Sequence, residues 1–337
     1  MAATAAIYGC AGPSLSDAER RFFRETRPWG FIVFARNIET PDQVRRLVEE
    51  LREAAGHAAP VLIDQEGGRV ARLRPPQWRA YPPGRRYGDL YARSPKAGLE
   101  AARLGARLIA AELTALGINV DCLPVLDLPV PGAHDVIGDR AYGETPAPVI
   151  ALGRAAAEGL LAGGVLPIVK HIPGHGRAGV DSHLDLPVVD ADASTLAATD
   201  FAPFKALADM PLAMTAHVVY AALDPEAPAT TSKKVIAGTI RGEIGFDGCL
   251  MSDDLSMEAL AGSLRERCAA SLAAGCDLVL HCNGKMDEMT EVAAGVPVLA
   301  SDALARSDSA LARLRRPEAF DEAGALARFR ALLEGAA

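Results

Sequence analysis

The chain has 337 residues, 35 Lys+Arg against 43 Asp+Glu, a net charge of −8, and 50% hydrophobic residues. Half-apolar composition excludes wholesale disorder, and the acidic balance argues against nucleic acid or an anionic membrane surface as partner. At roughly 150 residues per domain the length suggests about two domains, though one large α/β fold can absorb it.

The opening stretch MAATAAIYGCAGPSLSDAERRFF has no basic segment ahead of an apolar run, so it does not read as a secretory leader. No run reaches about 18 apolar residues, so no membrane helix is expected. Cysteines fall at 10, 122, 249, 268, 276 and 282 without CxxC spacing. That pattern suits free thiols, small core residues in a reducing cytoplasm.

In chain order, Ala5–Tyr8 and Phe31–Phe34 read as the first two strands. A helix over Pro41–Ala55 follows, with Val44, Leu47, Val48 and Leu51 at helical spacing. Val61–Ile63 is the third strand, and Ala97–Leu116 is a helix carrying Leu104, Leu108 and Leu113. Strand Val120–Leu126 precedes helix Val149–Leu161, and strand Leu166–Val169 precedes helix Ala193–Leu207. Strand Leu212–Thr215 and helix Lys233–Ile244 come next, then strand Cys249–Met251, helix Leu264–Ala274 and strand Leu278–Leu280. The tail, about 301–337, reads as helical and packs outside the rest.

Short continuous apolar runs suit parallel strands buried on both faces. Eight of them alternating with helices predict one α/β domain over 1–337: a (β/α)8 TIM-type barrel, irregular in its first repeats, with a C-terminal helical tail. An open doubly wound sheet would need a Gly-rich phosphate loop after the first strand. Gly9-Cys10-Ala11-Gly12-Pro13 is not one.

A barrel puts its chemistry at the C-terminal ends of strands. Those ends bear Asp64, Asp127, Lys170-His171, His217, Ser252-Asp253-Asp254, and His281 with Asn283. The densest stretch is KHIPGHGRAGVDSH, residues 170–183, a loop by its Pro and Gly content. Three chemistries could use it. One is a metal held by His171, His175, Asp181 and His183, although Pro173-Gly174 breaks the helix that HxxxH ligation favours. Another is a Ser182 nucleophile, without a GxSxG elbow. The third is proton transfer by His183 oriented by Asp181, since residues two apart share a side of extended backbone. His175 reads better as a satisfied structural histidine. Asp253 ends the seventh strand, where an ionised carboxylate can attack an oxocarbenium-like centre. Asp254 reads as the start of the following helix.

KHIPGHGRAGVDSH, IDQEGGRVARL, VIGDRAYG and GFDGCLMSDDLSM together resemble the bacterial β-N-acetylglucosaminidases of glycoside hydrolase family 3. The resemblance runs from about Gly12 to about Asn283. It implies a nucleophile at Asp253, a general acid/base at His183 with Asp181 as its partner, and sugar binding by Asp64, Arg72, Arg140, Lys170 and His171. It implies retaining exo-hydrolysis of terminal β-linked N-acetylglucosamine from cytoplasmic peptidoglycan fragments carrying 1,6-anhydro-N-acetylmuramic acid. No cofactor or metal is expected. The partner is a small carbohydrate (a muropeptide), and the state is a monomer. A β-hexosaminidase or a β-N-acetylglucosaminide phosphorylase with other substrates remains the alternative. Residues Arg177–Val180 are expected to form a mobile loop. Cys122 and His281 depart from what the resemblance suggests. The cations Arg72, Arg140 and Lys170 gather in the motifs of an acidic chain, as if to hold a polar, partly anionic sugar.

Overall fold

The structure, a computed structural model, describes residues 2–182 and 185–335. Eight parallel strands close into a barrel: β1 Thr4–Tyr8, β2 Pro28–Val33, β3 Val61–Ile63, β4 Val120–Asp121, β5 Leu166–Ile172, β6 Leu212–Thr215, β7 Cys249–Asp254 and β8 Leu278–His281. They neighbour one another in sequence order, and β8 pairs with β1 to shut the ring. The chain is therefore a (β/α)8 barrel, as its alternating pattern predicts.

Two layers of apolar side chains explain why each strand is a short unbroken hydrophobic run. Ala5, Ile7, Ile32, Leu62, Val120, Leu166, Ile168, Leu212, Met214, Met251, Leu278 and Leu280 belong to the cluster that fills the barrel. Their strand neighbours, such as Ala6, Val33, Ile63, Val169, Ala213, Leu250 and Val279, pack in a second cluster with the surrounding helices. Period-two alternation puts both faces of every strand in an apolar layer.

The helices are α1 Asp17–Thr26, α2 Pro41–Ala55, α3 Gly84–Arg93, α4 Pro95–Ala115, α5 Pro146–Ala162, α6 Ala193–Ala198, α7 Phe201–Ala206, α8 Leu264–Ala274, α9 Met286–Ala293, α10 Ser301–Leu311 and α11 Glu322–Glu334. α2 and α8 have the bounds the periodicity predicts. The expected helix 193–207 is interrupted between α6 and α7, and Val235–Glu243 is wound as a π-helix. The expected strand 120–126 stops at Asp121, although Leu123 still accepts the Ile168 N–H and Val125 bridges to Lys170. Pro124 lacks the N–H that a continuous ladder requires. The irregularity expected of the first repeats takes the form of a register shift between β1 and β2. Register shifts also occur where β5 meets β6 and where β7 meets β8, two places that bear the densest polar motifs.

In the tail, Phe329 and Leu332 of α11 join the outer cluster, and α11 packs against α4. None of the described helices is long and apolar enough to cross a membrane.

Candidate active site

The C-terminal strand ends surround a cavity of about 280 Å³ lined by Asp64, Arg72, Arg140, Lys170, His171 and Asp253, among others. Six separately predicted positions thus meet in one place. Phe34, Met214, Met257 and Cys282 supply apolar wall.

Lys170 is the hub. It lies on β5, 2% exposed, with Nζ 2.9 Å from Asp64 Oδ1 and 2.6 Å from Glu66 Oε1. Asp64 also accepts from Arg72 Nη2 at 2.8 Å. Glu66 takes a two-pronged contact from Arg140, with Nε at 2.9 Å and Nη2 at 2.8 Å. A fork of this kind fixes both planes. Burial works against the Asp64 charge, but Lys170 and Arg72 outweigh it and hold the carboxyl well below the usual carboxylate range. Burial likewise opposes the Glu66 charge, and Arg140 and Lys170 bring it down to about 2. The two carboxylates in turn raise Lys170 above the ordinary lysine range despite its burial.

Each of the three clustered cations is therefore already paired. Carboxylates offset their charge, because buried charges without partners are too costly.

Glu66 escaped the reading of the sequence. The signal was present in IDQEGGRV, since a carboxylate two residues from Asp64 shares its side of extended backbone. A short antiparallel pair, Gln65–Gly67 with Val70–Ala71, presents this motif. Gln65 pins the far side, its Oε1 accepting from the backbone of Arg72 and Leu73.

The PGHG loop hangs on Asp127, which is fully buried. Its Oδ2 lies 2.6 Å from His171 Nδ1, and its Oδ1 accepts the backbone N–H of His171 at 3.2 Å and of His175 at 2.7 Å. Burial opposes its charge, yet His171 and His175 bring the carboxyl down to about 2. A carboxylate only accepts, so His171 Nδ1 carries the proton and the ring is oriented for its second nitrogen. The Lys170–His171 peptide is cis.

His175 is buried with its Nε2 3.0 Å from Ser182 Oγ, but its Nδ1 has no hydrogen-bond partner among the described residues, so the ring is only half satisfied, and burial pushes it down to about 4. Ser182 is 3% exposed and is not among the residues of the cavity wall. His171 and His175 are thus engaged with Asp127 and Ser182, and no metal-binding group of three or more occurs among the described residues. Arg177 is held by Asp200 Oδ2 at 2.7 Å and Thr199 Oγ1 at 3.1 Å. Arg177 is therefore tethered, while Gly179 and Val180 beyond it are exposed. Asp181 is half-buried; His183, the expected acid/base, lies outside the described residues.

Asp253 stands on the last turn of β7. Cys249 and Met251 face the barrel interior, so alternation turns Asp253 inward to the cavity that it lines. Its Oδ1 accepts the Asp254 N–H at 2.8 Å. Asp254 does not cap a following helix. Its carboxylate accepts from Ser256 N, Ser256 Oγ and Cys282 N, tying the end of β7 to the end of β8. His217 Nε2 donates to the Asp254 carbonyl at 3.1 Å, and its Nδ1 meets Thr230 Oγ1 at 2.6 Å.

A carboxylate at a strand end therefore shares one cavity with a lattice of paired charged donors and acceptors. The glycosyl hydrolase family 3 N-terminal domain matches residues 14–316. A β-hexosaminidase of Bordetella avium is 39% identical over 277 residues, covering 81% of this chain and 79% of that one. The structure of NagZ from Neisseria gonorrhoeae in complex with N-trifluoroacetyl-D-glucosamine superposes with a TM-score of 0.89 at 31% identity, covering 99% of each chain. A family 3 β-N-acetylglucosaminidase from Paenibacillus sp. gives 0.81 at 33% identity, covering 98% of this chain; the chain spans 61% of that longer enzyme. On its barrel, its motifs and the extent of these matches, the chain belongs to glycosyl hydrolase family 3.

Proposed function

We propose that the chain is a retaining exo-β-N-acetylglucosaminidase that removes terminal non-reducing N-acetylglucosamine from peptidoglycan fragments, GlcNAc-1,6-anhydroMurNAc and its peptides. Its broader class is β-N-acetylhexosaminidase, in keeping with the names of its relatives. It acts in the cytoplasm as a monomer, with residues 1–337 as one catalytic domain. The observation that carries the reading is Asp253, inward at the end of β7 across the cavity from the Asp64–Lys170–Glu66–Arg140 lattice.

Asp253 attacks the anomeric carbon as the glycosidic bond breaks. His183, oriented by Asp181, gives its proton to the leaving oxygen. The neutral imidazole then takes a proton from water, which displaces Asp253 and restores the β-configuration. A histidine suits this step because an unperturbed imidazole titrates near pH ~6.5 and needs no burial to reach the working range. Asp64, Lys170, Arg72, Arg140 and His171 hold the sugar through charge-assisted hydrogen bonds.

Two measurements test the proposal. A 5-fluoro N-acetylglucosaminide should leave a covalent sugar on the peptide containing Asp253; an adduct elsewhere, or none, overturns the nucleophile. His183→Ala should slow poor leaving groups far more than activated aryl glycosides, and equal loss on both removes the acid role.

A further inference from the structure

His281 ends β8 and is, with Cys122, one of the two residues that depart from the family resemblance. It is 0% exposed, and among the described residues neither ring nitrogen has a hydrogen-bond partner. Buried polar groups without partners are rare and costly. Leu278 and Leu280 face the barrel interior, so alternation turns His281 outward, to the side on which Asp254 leaves β7. A carboxylate stands off each nitrogen: Asp254 Oδ1 is 3.9 Å from Nδ1, and Glu288 Oε2 of α9 is 3.8 Å from Nε2.

A neutral imidazole has one N–H, whereas an imidazolium has two. Only the charged ring can answer both carboxylates at once. The other groups near it are Lys285, which disfavours its charge, and Asn283, whose side chain favours that charge and whose amide donates to Glu288 Oε2 at 2.5 Å. Tyr8 pairs with it across β1, and Cys268 lies near Tyr8. Burial raises both the phenol and the thiol beyond their ordinary ranges, so both stay neutral. Burial pushes His281 itself below the usual histidine range, with Asp254 and Glu288 opposing. It is therefore neutral near pH 7 and takes up its proton on the acid side.

Asp254 links this histidine to the chemistry. Its N–H holds Asp253 Oδ1, and its carboxylate holds Ser256 and Cys282. We propose that His281 is a positioning residue for Asp253, acting through Asp254: the neutral ring leaves Asp254 clamped on Ser256 and Cys282, and the protonated ring draws that carboxylate away and misaligns the nucleophile. Glu288, outside the cavity and in contact with solvent, is the second anchor of the charged state. The inference rests on Asp253 being the nucleophile.

The test is the pH dependence of kcat on 4-nitrophenyl N-acetyl-β-glucosaminide, with the rate of Asp253 labelling by the 5-fluoro glycoside measured alongside. His281→Gln keeps a polar side chain without the titration. It should shift the acid limb of kcat to lower pH, giving about threefold or more activity over wild type on that limb with KM nearly unchanged. Glu288→Gln removes one carboxylate that favours the imidazolium, so it should move the limb the same way. It also keeps the proposal falsifiable if the histidine variant does not fold. An acid limb and labelling rate that superpose on wild type in Glu288→Gln, or in folded His281→Gln, overturn the positioning role. Absence of any label on Asp253 in the wild type overturns instead the assignment of the nucleophile.

Discussion

Asp253 and Glu66 differ in what their loss should do, and the difference follows from where each carboxylate sits. Asp253 lines the cavity and is the proposed nucleophile, so Asp253→Asn should lower kcat by about 10³-fold or more with little change in KM. Residual activity within about tenfold of wild type would argue for another nucleophile. Glu66 is almost wholly buried behind the cavity wall, where it is ion-paired with Lys170 and Arg140. Glu66→Gln keeps the shape and removes the charge that both cations share. Leaving a buried charge short of its partner costs about 3–5 kcal/mol, so thermal stability should fall. Lys170 then leans on Asp64, and the sugar contacts proposed for both would shift. We expect KM to rise about tenfold and kcat to change less; an unchanged KM would mean the lattice is only structural.

Among the elements, the strands were legible and several helices were not. Strands buried on both faces announce themselves as apolar runs, so the eight barrel positions could be read directly from Ala5 to Leu280. Helix α1 was missed because its core-facing residues are few, yet Ser16 and Glu19 form a capping box that a search for caps would have found. The break between α6 and α7 had no periodic signal, since Leu196, Phe201 and Phe204 are all buried and read as one stripe. In the site, the residues at strand ends could be named, but not the pairs they form. Lys170 meets Glu66 across more than a hundred residues, and only the closure of the barrel sets that distance. The loop after β5 shows how tightly these elements approach. A Cβ on Gly176 would lie 2.0 Å from the carbonyl oxygen of Leu128, the residue that follows Asp127. Gly176→Ala must push the two loops apart and should cost about 1–3 kcal/mol of stability. Because Asp127 holds His171 and His175, kcat/KM should fall further than the stability loss explains. Urea unfolding midpoints and steady-state kinetics on the same variant decide this, and a stable, fully active Gly176→Ala would show that the loops can separate freely.

At the scale of the whole molecule, the polar groups that shape the site also set how stability responds to acid. His175, pushed down by burial to about 4, stays neutral in the folded state while the unfolded chain takes up a proton near pH ~6.5. A depressed folded value means that its contribution is fully present above the unfolded pKa and is lost as pH falls toward the folded one. The window for His175 therefore runs from roughly pH 6.5 down to about 4. His217 and His281 are shifted the same way, so they steepen the same window. Glu66 and Asp127, both at about 2, act next: the unfolded carboxyls protonate near pH ~4, and the folded ones resist until about 2. Asp121 works in the opposite sense, because burial raises it well above the usual range and favours its neutral form as pH falls. Glu112, also raised by burial, acts with it, and the two are outnumbered by the three histidines in the upper window. The melting temperature should therefore decline in two stages, gently from about pH 6.5 and then steeply below about pH 4. Calorimetry across this range checks it, and His175→Gln should flatten the upper stage while leaving the lower one in place. A melting temperature that holds constant down to about pH 4 would mean that the buried histidines gain compensating partners on protonation, and the assignment of the upper stage to them would fall.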